Sequence, residues 1–351
     1  MSLRDRLAAQ IAATGPLTVA QYMTACLHDP KGGYYTTRPA IGEHGDFVTA
    51  PMISQMFGEL IGVWTAATWA QLGGPKRFRL VEMGPGDGTL MSDILRTARL
   101  VEGFLEAADI WLVETSEPLK ALQRERLGER VRWAADLSDV PGEAPLILVA
   151  NELLDCLPAR QFVRRATGWA EQMVALNAEG ELAFALFPTP AGGLLPDAPV
   201  GAVFEQSSAQ AALGASLGVR IADDGGAALL VDYGRALPGF GDTLQALRRH
   251  EKVDPLACPG EADLTVHADF PSVLGAAQAH GARTAMLTQG AFLARLGVGE
   301  RAEALVRANP ENAAMIGRQL GRLVGADQMG SLFKVACIHS RGWTPPAFEE
   351  V

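Results

Sequence analysis

The sequence is poor in the features that mark disulfide-bonded and metal-binding proteins. Its 351 residues include only four cysteines, and these stand singly, without a C-x-x-C pair. Reduced thiols are the simplest expectation, and together with the lack of an apolar leader in residues 1–10 they predict a cytoplasmic protein. The six histidines show no H-x-x-x-H spacing. We therefore expect no metal site.

Long runs of basic or apolar residues are also missing. No run of lysine and arginine exceeds two residues, and the formal net charge is −10. This balance argues against a nucleic-acid partner bound through a basic face, while an acidic surface would tolerate a cationic substrate. No apolar run is long enough to cross a bilayer, so no membrane span is expected. The composition is otherwise that of a globular protein with ample core, at 48% hydrophobic and 20% charged residues.

Strand-like and helix-like segments alternate along the second and larger part of the chain. Strand patterns recur at residues 78–83, 109–114, 131–136, 146–151, 227–233, 284–287 and 332–339. The alternation predicts a doubly wound, Rossmann-like α/β sheet of seven strands. Only a proline-rich tail follows the last strand, which could therefore be an antiparallel insertion strand.

The same patterns divide the chain into an extension and a core. Residues 1–74 predict a mainly helical N-terminal extension, and residues 75–351 predict the cofactor-binding core. Within the core, residues 160–187 predict a β insertion. Residues 190–220 and 240–325 predict mainly helical insertions, which we expect to form a lid over the strand ends.

The most informative segment is residues 81–90, VEMGPGDGTL, which joins the first of these strands to a helix. Gly84, Gly86 and Gly88 allow the backbone to approach a ligand and to adopt positive φ. Their spacing differs from the G-x-G-x-x-G of dinucleotide binders. Glu82 would repel a pyrophosphate but suits an ammonium group. The segment therefore favours S-adenosyl-L-methionine as the cofactor, with an ordinary tight turn as the alternative.

Acids and amides stand at the ends of the following strands, where open α/β sheets bind their ligands. Glu114, after the second strand, could accept hydrogen bonds from both ribose hydroxyls, and Asp136, after the third, could accept one from the adenine amino group. Either acid could instead cap the helix that follows it. The fourth strand ends at Asn151 and Glu152, and Asp155 comes shortly after them.

Three segments resemble a known family. Residues 81–90 and residues 151–158, NELLDCLP, are similar to motifs of the MidA family, and so is GDFVTAP at residues 45–51. These proteins are class I S-adenosyl-L-methionine-dependent methyltransferases, related to the mitochondrial protein arginine methyltransferase that assists complex I assembly. Further matches extend the resemblance over nearly the whole chain. It implies the seven-stranded methyltransferase sheet and S-adenosyl-L-methionine as cofactor. The chain departs from the family at Leu153 and Leu154, where aromatic residues are usual.

The resemblance also implies an acceptor, namely an arginine of a protein such as a subunit of respiratory complex I. Methyl transfer is mainly a positioning task, and carboxylates can orient a guanidinium bidentately. We therefore expect Glu152 and Asp155 to grip the guanidinium, and Asp46 to close over the site. We expect Thr49 and Asn151 to contact the cofactor. The plainer alternative is that Asn151 and Glu152 only hold their loop through backbone hydrogen bonds.

Other functions stay open at this stage. The chain could methylate a small molecule, or it could be an assembly chaperone that binds the cofactor without catalysis. A nicotinamide oxidoreductase is disfavoured by the glycine spacing and by Glu82. Asp232, Tyr233 and Asp263 are further candidates for the wall of the acceptor site. The sequence does not fix the target arginine, the number of methyl groups or the oligomeric state.

Overall fold

The computed structural model describes residues 1–37, 50–189 and 195–349. The α-helices are α1 (Leu3–Thr14), α2 (Val19–His28), α3 (Tyr34–Thr37), α4 (Ala50–Ile53), α5 (Gln55–Gln71), α6 (Thr89–Ala98), α7 (Phe104–Ala107), α8 (Glu117–Leu127), α9 (Ser208–Asp224), α10 (Phe270–Ala279), α11 (Gln289–Arg295), α12 (Val298–Ala308), α13 (Ala313–Val324) and α14 (Met329–Leu332). The strands are β1 (Leu17–Thr18), β2 (Phe78–Met83), β3 (Ala108–Val113), β4 (Arg132–Ala134), β5 (Leu146–Asn151), β6 (Arg160–Arg165), β7 (Gly168–Leu176), β8 (Leu182–Pro188), β9 (Val203–Gln206), β10 (Gly226–Arg235), β11 (Gln245–Arg248), β12 (Glu251–Val253), β13 (Asp263–Thr265), β14 (Ala268–Asp269), β15 (Arg283–Thr288) and β16 (Phe333–His339).

The centre of the fold is a sheet with the strand order β15-β16-β10-β5-β2-β3-β4, to which β14 adds a short pairing beside β10. Neighbours from β10 to β4 are parallel, whereas β16 is antiparallel to both β10 and β15. The predicted fold class is confirmed, and the last strand is antiparallel as expected. Because parallel neighbours need long crossovers, helices separate these strands along the chain.

Both faces of the central strands are covered. Leu80 and Ile147 belong to a buried cluster with side chains of α5 and α6, whereas Val81 and Leu148 belong to a second cluster with side chains of α9 and α10. Side chains alternate between the faces of a strand, so a strand covered on both sides must be apolar throughout. Burial of each such side chain contributes about 1.5–3 kcal/mol. This packing fixes the positions of the C-terminal ends of β2 and β5, where the glycine loop and Glu152 follow.

Two smaller sheets flank the central one. Strands β1, β7, β6 and β9 pair in that order with β8 beside β7, and β12, β11 and β13 form a three-stranded sheet. Residues 160–187 thus hold the meander β6–β8. Residues 195–220 hold β9 and most of α9, which packs against β5, β10 and β16. Residues 240–325 hold the three-stranded sheet together with α10–α13 and β15. The boundary placed between residues 74 and 75 stays a prediction.

The N-terminal helices are attached to the chain segment that precedes β13. The Arg4 side chain donates a hydrogen bond of 2.9 Å to the carbonyl of Leu256, and the Tyr22 hydroxyl donates one of 2.8 Å to the carbonyl of Pro255. Thr18 is the N-cap of α2, and its side chain accepts a hydrogen bond from the backbone N–H of Gln21. These contacts bring α2 and α3 over the end of the central sheet.

Candidate active site

The glycine loop connects β2 to α6 at the sheet edge. Gly84, Gly86 and Gly88 all have positive φ, at 65°, 54° and 82°. A Cβ added to Gly84 would lie 3.0 Å from Cδ1 of Leu153, so space is short there as well. A side chain at these positions would be strained, which explains the three glycines. The loop backbone therefore forms the wall of the neighbouring cavity.

Two buried oxygen atoms face this loop without a partner. Oε2 of Glu82 and Oδ1 of Asn151 accept no hydrogen bond from any described residue. Both residues line a small cavity of about 50 Å³ beside Gly84 and Gly86, which we call the loop cavity. Burial, with Asp87 adding repulsion, raises the pKa of Glu82 well above its ordinary value. Unpaired buried acceptors are costly, and an ammonium group supplies the donors that they lack. The residues present therefore fit the amino-acid end of S-adenosyl-L-methionine.

A second cavity of about 260 Å³ lies beside the ends of β2, β3 and β4. We call it the strand-end cavity. Its lining combines Glu114 and Asp136 with apolar side chains such as Val113 and Leu153. Tyr35 of the N-terminal extension also lines it, as do His28, Cys156 and Leu157. An apolar cavity with a few polar groups suits a flat heterocyclic ligand.

Glu114 holds the turn that precedes α8 and also faces the strand-end cavity. Its Oε1 accepts hydrogen bonds from the backbone N–H groups of Thr115 and Ser116, at 2.8 and 2.7 Å. Its Oε2 accepts a bond of 3.2 Å from Nε2 of Gln123. Burial raises the pKa of Glu114, and these donors oppose that rise. The N-cap of α8 is Ser116 and the helix has no side-chain cap bond, so the capping alternative is not realised at Glu114. A carboxylate oxygen can accept more than one hydrogen bond, so these bonds do not prevent contact with a ligand.

Asp136 is the N-cap of the short 3-10 turn Leu137–Asp139. Its Oδ1 accepts hydrogen bonds from the backbone N–H of Ser138 at 2.9 Å and from its hydroxyl at 2.6 Å. These two bonds hold the pKa of Asp136 below its ordinary value. The capping alternative is realised here, while the residue also lines the strand-end cavity.

Glu152 lies where three cavities meet. It lines the loop cavity, the strand-end cavity and a third cavity of about 460 Å³, which we call the outer cavity. Its φ is 53°, which is uncommon for a residue with a side chain and is typical of functional sites. Its Oε1 accepts hydrogen bonds from the backbone N–H of Ala50 at 3.2 Å and from Nδ2 of Asn151 at 3.1 Å. The residue is thus held in place and still borders every cavity.

The charge of Glu152 is sensitive to its surroundings. Burial raises its pKa to about 7, and the nearby Asp155 carboxyl contributes, whereas Arg322 acts in the opposite direction. The Glu152 side chain is partly exposed to the three cavities that it borders, but it lies away from bulk solvent. Both forms of the carboxyl are therefore accessible near neutral pH, and a cation in the outer cavity would favour the charged form.

Two further carboxyl groups lie behind Glu152. Asp232 is fully buried, and its oxygens accept hydrogen bonds from the backbone N–H groups of Leu154, Asp155 and Tyr233, at 2.8, 3.2 and 2.8 Å. Burial raises the pKa of Asp155 to about 6, and it raises that of Asp232 well above the ordinary value. Asp232 therefore holds the loop that carries Glu152 and Asp155.

The structure brings most of the predicted site residues to one sheet edge, but their roles stay predictions. Asp155 is buried and is not among the lining residues of the three cavities, and neither is Gly88. Asp46 and Thr49 lie outside the described residues. The parts of the chain that the structure describes contain no group of three or more potential metal ligands. Within those parts, no helix is long and apolar enough to span a membrane.

Sequence reasoning missed two side chains at the site. Nε2 of Gln123 donates a hydrogen bond of 2.7 Å to the carbonyl of Gly86, and its Oε1 accepts one of 2.8 Å from the Trp133 indole. The Tyr35 hydroxyl donates a bond of 2.8 Å to Oδ1 of Asp263. The helical spacing of Leu119 and Gln123 could have indicated that Gln123 lies on the buried face of α8. No local pattern indicates the position of Tyr35.

Comparisons with known proteins agree with this geometry. The family model described as "Putative S-adenosyl-L-methionine-dependent methyltransferase" matches residues 60–288. The protein arginine methyltransferase NDUFAF7, mitochondrial, of Danio rerio is 35% identical over 95% of this chain and 86% of its own length. The Homo sapiens protein of the same name is 35% identical over 92% of this chain and 80% of its own.

A solved structure supports the cofactor as well as the fold. A Burkholderia thailandensis protein described as a "likely methyl transferase" was crystallised with S-adenosyl-homocysteine. It is 28% identical, with a TM-score of 0.87, and the alignment covers 99% of this chain and 94% of that one. The present chain belongs to this family of S-adenosyl-L-methionine-dependent methyltransferases. The predicted family, cofactor and enzyme class are confirmed.

The predicted cytoplasmic location is wrong by the same comparison. The relatives from Danio rerio and Homo sapiens are both named as mitochondrial proteins. The prediction depended on the single cysteines and on the lack of an apolar leader in residues 1–10. Single reduced cysteines argue only against an oxidising compartment, so they do not separate the cytoplasm from mitochondria.

Proposed function

We propose that this methyltransferase acts on the guanidinium group of an arginine in a protein. The observation that carries the proposal is the position of the Glu152 carboxyl, where the two cavities suited to the cofactor meet the larger outer cavity. The names of the curated relatives, which are protein arginine methyltransferases, support the same acceptor. A subunit of respiratory complex I, or a related protein, is the acceptor that the sequence resemblance implies.

The residues around the loop and strand-end cavities would hold the cofactor. Glu82 and Asn151 offer acceptors to its ammonium group, and the backbone at Gly84 allows close approach. Glu114 offers its carboxylate to the ribose hydroxyls, and Asp136 offers one to the adenine amino group. When bound, S-adenosyl-L-methionine supplies a methyl group made electrophilic by the sulfonium.

The outer cavity has walls that suit an arginine side chain. Leu247, Met329 and Phe333 line it and could pack against the aliphatic stem. Glu152 would then receive the guanidinium, which is always protonated at neutral pH, through charge-assisted hydrogen bonds. Its carboxylate fixes the orientation of the group and aims one nitrogen at the methyl carbon.

The transfer needs no strong base. The nitrogen would attack the methyl carbon as the carbon–sulfur bond breaks, and the sulfur would keep the bonding electron pair. The attacking nitrogen, now bonded to the methyl carbon, would then have to lose one of its own protons. That nitrogen is far more acidic than the starting guanidinium, so water or the Glu152 carboxylate, with its pKa of about 7, can accept the proton. The main task of the protein is to hold the reacting atoms in line.

The proposal is tested by mass spectrometry of methylated residues. The protein is incubated with isotopically labelled S-adenosyl-L-methionine and a tryptic-size peptide mixture prepared from a whole-cell protein extract. We expect labelled methylarginine, and we expect an excess of S-adenosyl-homocysteine to suppress it. Label on lysine, histidine or carboxyl groups, with none on arginine, would refute the proposed acceptor.

A further inference from the structure

The rim of the outer cavity carries the positive charges of Lys252 and Arg322, with the His250 side chain beside them. His250, Lys252 and Arg322 line the cavity and are exposed to solvent. Among the described residues, none of these three side chains has a hydrogen-bonding or ion-pairing partner. Glu152 is the one carboxylate that the described lining contributes, and it lies at the inner end, where the other two cavities begin. The cavity therefore runs from a basic rim to an acidic inner end.

The rim is basic although the chain as a whole is acidic. The chain has a net charge of −10, and many of its arginines are paired with acids. Arg301 binds Glu59 through two bonds of 2.7 and 3.0 Å, and Arg160 binds Glu171 through two of 2.7 and 2.6 Å. Lys252 and Arg322 make no such pair among the described residues, although they lie at the opening of the same cavity. They are free to interact with whatever approaches the cavity.

The basic side chains come from two separate elements. His250 and Lys252 belong to the hairpin of β11 and β12, and Arg322 lies on α13. Leu332, at the end of α14, lines the same cavity and is 50% exposed. Glu251 lies on the hairpin but does not line the cavity. A bound polypeptide would thus meet positive charge on both sides of its inserted residue, and an apolar contact beside it.

An isolated arginine would be repelled by this rim before it reached Glu152. We propose that the outer cavity selects an arginine that has acidic residues close to it in the acceptor polypeptide, an inference that rests on the proposed function. Aspartate or glutamate near the target pairs with Lys252 and Arg322, and so offsets the repulsion of the guanidinium. An arginine among basic residues, as in nucleic-acid-binding tails, is rejected by like charge.

The size of the preference follows from the exposure of the pairs. Ion pairs at exposed sites are weak and are screened by salt, so two such pairs should change kcat/KM by about threefold to tenfold. The effect should appear in KM, because the rim acts on approach and not on the transfer itself. It should diminish at high ionic strength.

The test uses the peptide mixture described above and reads the sequence around each methylated arginine. We expect aspartate and glutamate to be enriched about threefold near methylated arginines, relative to all arginines in the mixture. The Lys252→Glu and Arg322→Glu variants should lose this enrichment. Lys76→Glu is the matched control, because it makes the same charge change at a distant site. Lys76 is exposed and lies just before the start of β2, whereas the cavities lie where the parallel strands end. The control variant should retain the wild-type pattern.

Three outcomes would overturn the inference, and they are distinguishable. Methylated arginines without acidic enrichment, or an unchanged pattern in both rim variants, would refute the selection rule and leave the proposed function standing. No methylarginine at all from protein that binds S-adenosyl-homocysteine normally would refute the proposed acceptor, and the selection rule with it.

Discussion

Glu82 and Asn151 lie at the ends of two neighbouring parallel strands, and each presents a buried oxygen atom without a partner among the described residues to the same small cavity. In a loop with only a structural role, two buried acceptors without hydrogen-bond donors would destabilise the fold. They become useful when a ligand brings several hydrogen-bond donors and a positive charge. The cofactor-free protein is therefore destabilised by these unsatisfied acceptors, and the bound cofactor removes that destabilisation.

Replacing Glu82 by Gln should weaken the cofactor without weakening the fold. The substitution removes the charge that faces the ammonium group, and charge-assisted hydrogen bonds contribute about 1.5–3 kcal/mol. We expect the Kd for S-adenosyl-L-methionine, measured by calorimetric titration, to rise about tenfold to a hundredfold. The thermal midpoint should stay constant or rise, because a buried carboxylate is removed. Unchanged affinity would refute the assignment of Glu82 to the ammonium group.

Replacing Gly86 by Ala should block the cofactor. The φ of Gly86 is 54°, so the new side chain costs about 1 kcal/mol in backbone strain and projects from the loop that borders two cavities. Gly180→Ala is the control, because Gly180 has a φ of 79° in a turn with open space around it. Both variants should lose similar thermal stability, and only Gly86→Ala should lose affinity for S-adenosyl-homocysteine. Normal binding by that variant would show that the loop does not hold the ligand.

Replacing Glu152 by Gln should separate catalysis from cofactor binding. Glutamine keeps the oxygen that accepts the Ala50 N–H but has no charge for the guanidinium. Misplacement of the acceptor should lower kcat about a hundredfold, while affinity for S-adenosyl-homocysteine stays within a few-fold of the wild type. An equal loss of affinity and turnover would make Glu152 a cofactor-binding or structural residue. Full activity would favour an acceptor held by other groups.

The stability of the cofactor-free protein should depend on pH through Glu152 and Asp155. Their pKa values are raised to about 7 and about 6, from ordinary values of 4.5 and 3.8. A carboxyl with a raised pKa binds its proton more tightly in the folded state. This stabilisation is complete below about pH 4 and is lost as the pH rises through 6 and 7.

We therefore expect the thermal midpoint of the wild type to fall by a few degrees over this range at constant ionic strength. Glu152→Gln should fall less, since one of the two groups is gone. Scanning fluorimetry of both proteins over the same buffers gives the difference directly. Superimposable profiles would contradict the raised pKa of Glu152.

The sequence predicts the sheet well because its signals are local. Strands β2 and β5 were expected at the residues where they occur, since each is an apolar run between breaks. Glu114 and Asp136 could be identified as strand-end acids for the same reason. Asp136 caps a 3-10 turn and lines the strand-end cavity at the same time, which the sequence could not show.

The features that the sequence did not predict depend on contacts between segments that are distant along the chain. Tyr35 and Asp263 are 228 positions apart, and Gln123 meets Gly86 across 37. No local periodicity or turn pattern shows that the N-terminal extension packs near Asp263, or that α8 packs against the glycine loop. The three-stranded sheet β11–β13, which carries part of the basic rim, was likewise missed within a range expected to be mainly helical.

The docked N-terminal helices have a consequence for how this protein can be shortened. The family match spans residues 60–288, so a fragment cut at those limits would look like a natural unit. It would lack Tyr35 and His28, which close one side of the strand-end cavity, and it would lack β16, which lies between β10 and β15. The fragment would keep the glycine loop but have an open-sided pocket and a divided sheet. An active fragment therefore has to include residues on both sides of the matched range, because they close the strand-end cavity and complete the central sheet.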